Sequence, residues 1–219
     1  MRTRGLLHEE LDELRRELMV MASRVEEDLG KALTILRTGG EELVKDVLES
    51  GKIVDGLQVK IEDMALVLIA TQQPVARDLR ELLTVFKITS NLERIGDYGI
   101  HLVKAAVKLA DRPSFRSMEH IESMAETGQK MLKAAFSAYL AQDSEAARKA
   151  AALDDKIDGE HKILTKEVLS LMKKKPELVK AASRLLKLSG YMERMGDHIT
   201  SISEGVIFMV EGRHVELNH

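Results

Sequence analysis

Apolar residues recur at intervals of three and four along most of this chain. In one stretch they fall at Val44, Val47, Leu48, Val54, Leu57, Ile61, Met64 and Leu68, the 3.6-residue rhythm of a helix that buries one face. Further along, a seven-residue line reads Leu79, Phe86, Glu93, Ile100, Val107, and a second reads Val179, Leu186, Glu193, Thr200, Ile207. Both lines are mostly apolar, and both are interrupted by a glutamate at the same place. The pattern predicts long amphipathic helices packed side by side.

Sparse punctuation sets their ends. Thr38-Gly39-Gly40 followed by acids reads as one helix stopping at glycine and another starting with acids in its first turn. Gln72-Gln73-Pro74 is a second stop, with proline suited to the first turn of the next helix. Asp111-Arg112-Pro113-Ser114 divides the chain, Gln142-Asp143-Ser144 supplies a cap, and Lys175-Pro176 marks the last break. The predicted helices span 6–37, 41–72, 74–110, 115–141, 144–175 and 176–212. A helix of about 30 residues is roughly 45 Å long, so such rods must lie alongside one another.

The chain also repeats itself. Asn91-Leu92-Glu93-Arg94-Ile95-Gly96-Asp97 returns as Tyr191-Met192-Glu193-Arg194-Met195-Gly196-Asp197 at an offset of 100. In the earlier helices Met21-Ala22 aligns with Met124-Ala125, and Asp55-Gly56 with Asp158-Gly159, at an offset of 103. Such self-similarity is the mark of a tandem duplication. It implies two three-helix units, residues 1–112 and 113–219.

Composition narrows the class. Apolar residues make up 44% and aromatics 3%, and only three prolines occur, a balance that favours an all-α fold. The absence of cysteine excludes disulfides and thiolate metal sites, so any metal must use oxygen or imidazole. The charged amino terminus and the short longest apolar run, Met64 to Ala70, predict a soluble, cytoplasmic protein with no membrane insertion. Interspersed charges with a net of -3, and no basic stretch interleaved with aromatics, argue against nucleic-acid binding. The methionines Met64, Met118, Met124, Met172, Met192 and Met195 read most simply as core fillers.

Candidate chemistry lies on the repeated faces. Glu93 and Asp97, like Glu193 and Asp197, stand four residues apart and so share a helix face. An ionised carboxylate on a core-facing line is costly unless paired or bound to a cation, and the adjacent Arg94 and Arg194 do not share that face. In the fifth helix Asp154 and Asp158 form another such pair. Together these acids could hold hard cations through oxygen, with His161 as a possible nitrogen ligand. His198 points about 100° away from Asp197 and is a weaker candidate. The first repeat offers Gly51, Asp55, Glu93 and Asp97, with Gln58 at the position of His161, so its site should be poorer. Gly96 and Gly196 cost helix propensity and suggest close helix approach or access to the carboxylates. The plainer alternative is salt bridging of these acids to Lys and Arg on neighbouring helices.

Enzyme signatures are scarce. A Glu-x-x-His pair of the di-metal type, Glu211 to His214, lies in an expected frayed terminus, and no phosphate-cradling loop, Gly-x-Ser-x-Gly or cysteine nucleophile occurs.

Gln73-Pro74-Val75-Ala76-Arg77-Asp78-Leu79-Arg80, then Lys87 and Leu92-Glu93-Arg94-Ile95-Gly96-Asp97, closely resemble the signature of the PhoU family of phosphate-transport accessory regulators. The segment with Asp154 and Asp158, followed by Met192 to His198, resembles its second copy, so the likeness covers essentially the whole chain. The resemblance implies two three-helix bundles in an elongated molecule, commonly a homodimer. It also implies a non-catalytic cytoplasmic role between the ATP-binding subunit of the phosphate transporter and the sensor histidine kinase, restraining uptake and the starvation response. The family's Glu/Asp-x-x-x-Asp motifs are associated with divalent or trivalent metal ions such as iron, zinc, manganese or magnesium. They fall here on Asp154 and Asp158, Glu93 and Asp97, and Glu193 and Asp197, with Asp55 keeping half of a fourth and Gly51 departing from it. Two rival readings of the same acids are a carboxylate-bridged metalloenzyme and a metal-free docking surface for basic segments.

Overall fold

A computed structural model of the chain describes residues 2–40, 42–107 and 117–218, and among them there is helix and no strand. The helices are α1 (Arg2–Thr38), α2 (Glu42–Gln72), α3 (Ala76–Val107), α4 (Ser117–Ala141), α5 (Ser144–Ala151), α6 (Asp154–Lys174) and α7 (Val179–Glu211). Each of α1, α2 and α3 packs on the other two, and α4, α6 and α7 do the same, giving two three-helix bundles with α5 leading into α6. The expected boundary between residues 112 and 113 lies outside the described residues, as does the start expected for the fourth helix. No helix among the described residues is long and apolar enough to cross a membrane.

Several ends follow from local chemistry. Gly39 adopts the left-handed conformation (φ 78°) that closes α1, and Gly212 (φ 73°) closes α7, with its N–H donating to the Phe208 carbonyl at 2.9 Å. Asp143 caps α5 by accepting from the Glu145 and Ala146 N–H groups at 2.9 and 3.0 Å.

Other ends depart from expectation. Pro74 lies in the linker before α3 rather than in its first turn, between Gln73 and Ala76, both with positive φ. The expected fifth helix, 144–175, is broken at Ala152 and Leu153. The Leu153 N–H bonds the Ala150 carbonyl at 3.2 Å, a tightened turn, and α6 restarts with Asp154 and Asp155 in its first turn. The expected frayed terminus is also replaced by order, since Val215 and Leu217 pack on the core and His214 stacks on Phe208 with ring centroids 4.3 Å apart.

The two bundles are joined mainly along α3 and α7, which run antiparallel. Thr84 donates to the Gly205 carbonyl at 3.2 Å, Asn91 Oδ1 meets His198 Nδ1 at 2.8 Å, and the Tyr98 and Tyr191 rings lie 6.0 Å apart. Positions 91 and 98 align with 191 and 198 in the repeat, so the last two contacts exchange places under an approximate twofold axis. Buried Leu82, Val85, Ile88, Leu92 and Ile95 of α3 and Leu185, Leu188, Met192 and Ile199 of α7 share one core with α1 and α4. Of the six methionines expected to fill the core, Met124, Met192 and Met195 are among its buried members, and Met64, Met118 and Met172 pack against it half-buried.

Glu81, 3% exposed, is held by Arg15 of α1 through Nε at 2.6 Å and Nη2 at 2.7 Å. Removing Glu81 leaves the guanidinium half-buried without its forked partner. Glu81→Ala should therefore lower unfolding free energy by about 2–3 kcal/mol, and Arg15→Met in the same chain should recover part of it, as read by urea denaturation.

Candidate functional site

The candidate site forms where the first turn of α6 crosses α7. The break at Ala152 and Leu153 aims Asp154 at α7, where its Oδ2 accepts from the Thr200 hydroxyl at 3.2 Å. The other oxygen, Oδ1, is buried with no hydrogen-bond donor. It fills the space beside Gly196, where a Cβ would stand 2.0 Å away. A side chain at 196 would therefore have to displace the Asp154 carboxylate and press on Ile157 Cδ1 at 3.3 Å, rather than meet a neighbouring backbone.

Asp158, Glu193 and Asp197 face the same region. Burial raises the Asp154 carboxyl to about 7; the Thr200 bond opposes this, and the charges of Asp197, Asp158 and Glu193 add to it. Burial and then Asp197 hold Glu193 above its usual range, with His161 opposing and Asp158 adding. Burial and then Asp158 raise Asp197. Asp154, Asp155, Asp158 and Asp197 line a cavity of about 210 Å³, bordered by Arg148 and by Leu217 and Asn218 of the terminal segment.

Countercharge is sparse: Arg194 opposes the upward shifts of Glu193 and Asp197 without forming an ion pair with either. Arg148 is taken by Glu211 at 3.0 Å, and the one ion pair of the cluster is Lys162 to Asp158 at 3.3 Å. Among the described residues Asp154, Glu193 and Asp197 make no ion pair. His161 lies close enough to act on Glu193, while its Nδ1 is engaged by the Ser189 hydroxyl. His198 bonds Asn91 instead, and burial followed by Arg94 lowers its pKa.

The first repeat builds a shallower version. Burial and then Asp97 raise Glu93, Arg94 opposes this, and the exposed Asp55 adds its charge. Gly51 stands where Asp154 would be and Ile100 where Thr200 would be. A Cβ on Gly51 would lie 2.5 Å from Ile100 Cδ1, whereas one on Gly96 would find nothing nearer than Val54 Cγ1 at 3.7 Å. An apolar side chain thus fills the first crossing and a carboxylate fills the second.

No group of three histidine or carboxylate side chains among the described residues is disposed to hold a metal ion. The donor chemistry of the second cluster nevertheless fits a hard cation, with four carboxylates, an orphaned buried oxygen and little countercharge. Thr200, Ser189 and the terminal Leu217 and Asn218 were not among the residues expected at the site. Thr200 had a signal, as a polar residue on the same seven-residue line as Glu193 where the first repeat carries Ile100.

The PhoU domain matches residues 18–106 and again residues 121–206. The chain belongs to the PhoU family. It is 31% identical over 217 residues to the phosphate-specific transport system accessory protein PhoU homolog of Clostridium acetobutylicum, covering 99% of each chain. To the homolog of the same description in Borreliella burgdorferi it is 34% identical, covering 98% of this chain and 99% of that one. The crystal structure of PhoU from Pseudomonas aeruginosa superposes with a TM-score of 0.90 at 28% identity, covering 94% of this chain and 99% of that chain. The phosphate transport system regulatory protein PhoU from Streptococcus pneumoniae gives 0.89 at 27% identity, covering 96% and 99%.

Two predictions follow from this crossing. Gly196→Ala should destabilise by about 1–3 kcal/mol while Gly96→Ala is neutral or stabilising by up to about 1 kcal/mol, and Asp154→Ala should suppress the Gly196→Ala penalty in thermal melts. In metal-free buffer, folded Asp154 keeps a proton that the unfolded chain has already released. Stability should therefore fall as pH rises from about 4 through about 7. For a partly exposed carboxyl the loss is on the order of 1–2 kcal/mol, and Asp154→Asn should remove most of the slope.

Proposed function

We propose that this chain is a non-catalytic regulator of phosphate uptake whose second-repeat carboxylate cluster binds a cation. The role rests on full-length likeness to proteins named as accessory to, or regulators of, phosphate transport. The observation that carries the cation is Asp154 Oδ1, buried without a donor among three further acids. Asp154, Asp158, Glu193 and Asp197 would hold it, with His161 beside them and with Glu93, Asp97 and Asp55 as a weaker first-repeat set. Iron, zinc, manganese or magnesium suits these oxygen donors. When bound, the ion supplies the positive charge that the cluster lacks.

This chain's own residues then act as an adaptor in the cytoplasm. Neutralising the acids ties α6 to α7 and sets the surface offered to the transporter's ATP-binding subunit and to the sensor histidine kinase, with the protein working as a homodimer. A second reading, in which a lysine or arginine of a partner neutralises the same acids, is favoured by the lack of a three-ligand arrangement among the described residues.

Elemental analysis and thermal melts at pH 8 separate the two. The cation reading predicts bound metal, a fall in Tm with chelator, recovery on adding metal, and loss of the response in Asp154→Asn and Glu193→Gln. Glu93→Gln should change it less. No bound metal and no chelator effect would overturn that reading. Pull-down from phosphate-replete and phosphate-starved cells should recover the ATP-binding subunit or the kinase, and recovery of neither would overturn the adaptor role.

A further inference from the structure

The outer side of the first repeat carries a groove of about 610 Å³ between α1 and α2. Its apolar lining comes from Val59, Met64, Val67 and Leu68, and Val59 and Val67 remain 60% and 59% exposed. The duplication supplies an internal comparison. At the corresponding positions α6 carries Lys162, Glu167, Ser170 and Leu171, so the bundle is built equally well with a mostly polar surface there. Packing within the chain uses Leu68, buried in the core, and Met64, which packs against it, but does not require valine at 59 and 67.

Two further features point outward. A Cβ on Gly56, in the groove, would meet nothing within 4 Å, so no contact in this chain demands glycine at a mid-helix position where it costs helix propensity. Gly159 is open likewise, which makes the space common to both halves and the apolar lining particular to one. The border of the groove is acidic, with Glu10, Glu13 and Asp63 against Lys60. Lys60 is committed to Glu17 at 2.7 Å, Glu13 is tied to Arg16, and Glu10 Oε2 is buried with no donor. An occupant must therefore bring apolar anchors together with a cationic donor.

We propose that this groove docks a cationic amphipathic helix of a partner protein. Leucine-like side chains at i, i+3, i+4 and i+7 would enter beside Val59 and Val67, and a flanking lysine or arginine would satisfy Glu10. The residues differ from those of the α6–α7 carboxylate cluster, so the two readings stand or fall separately.

The chain has no tryptophan, so one tryptophan in a synthetic peptide reports its own burial. The probe is an amphipathic peptide of about 18 residues made of leucine and lysine, with tryptophan on the apolar face, and a control has every lysine replaced by glutamate. The lysine peptide should show a saturable one-to-one blue shift, with Kd on the order of 10–100 μM. Val67→Lys and Glu10→Lys should each weaken it at least about tenfold with unchanged melting curves, whereas Ile163→Lys on α6 should leave it unchanged. Binding that survives both groove substitutions, equal binding of the glutamate peptide, or no saturable binding would overturn the proposal. A dimer in sedimentation that becomes a monomer in Val67→Lys would also overturn it, assigning the groove to a second copy of the chain.

Discussion

Crowding of carboxylates at the α6–α7 crossing is the constraint around which the second half of this molecule is organised. A carboxylate oxygen occupies the volume that a side chain at 196 would need, with one hydroxyl for a donor and three further acids nearby. Desolvation opposes ionisation there, and proximity of like charges adds to that opposition. The local chain departs from regular helix to create this arrangement, because the turn at Ala152 and Leu153 brings Asp154 to the start of α6. There the helix end favours an acid that the surrounding core disfavours.

The same crossing in the first half shows that the fold itself does not require this charge. Gly51 and Ile100 replace Asp154 and Thr200 while glycine is kept at 96 as at 196, so the side chain that fills the crossing comes from α3 in the first half and from α6 in the second. Acids remain at Asp55, Glu93 and Asp97, but the deep position is apolar. The twofold seam between α3 and α7 keeps its mates in register despite this difference. Its opposed pairs, Asn91 with His198 and Tyr98 with Tyr191, fix the sliding of one bundle on the other through polar and ring contacts as well as apolar packing.

Much of this was legible in the chain. Apolar spacing and glycine, aspartate and proline punctuation gave the helices, and the repeated Glu-Arg-x-Gly-Asp phrase located both faces. The break after Ala151 was not legible, because Ala-Ala-Leu contains no helix breaker. The Arg15 and Glu81 pair was equally hidden, since 66 residues separate its members. Gly196 invited a steric reading, but only coordinates distinguish it from Gly96: one faces a carboxylate oxygen and the other has ordinary room. Ser189 and the terminal Leu217 and Asn218 join the site through long-range packing that no local pattern announces.

Glycine at 51 on α2, against aspartate at 154 on α6, makes the two halves unequal as building blocks. A molecule assembled from two copies of the second half would carry the electrostatic burden twice, and one assembled from two copies of the first would have no deep acid at all. Divergence after duplication has left one half with an apolar crossing and its sibling with an acidic one, so a change in ionic surroundings would act on the two ends of the chain to different degrees.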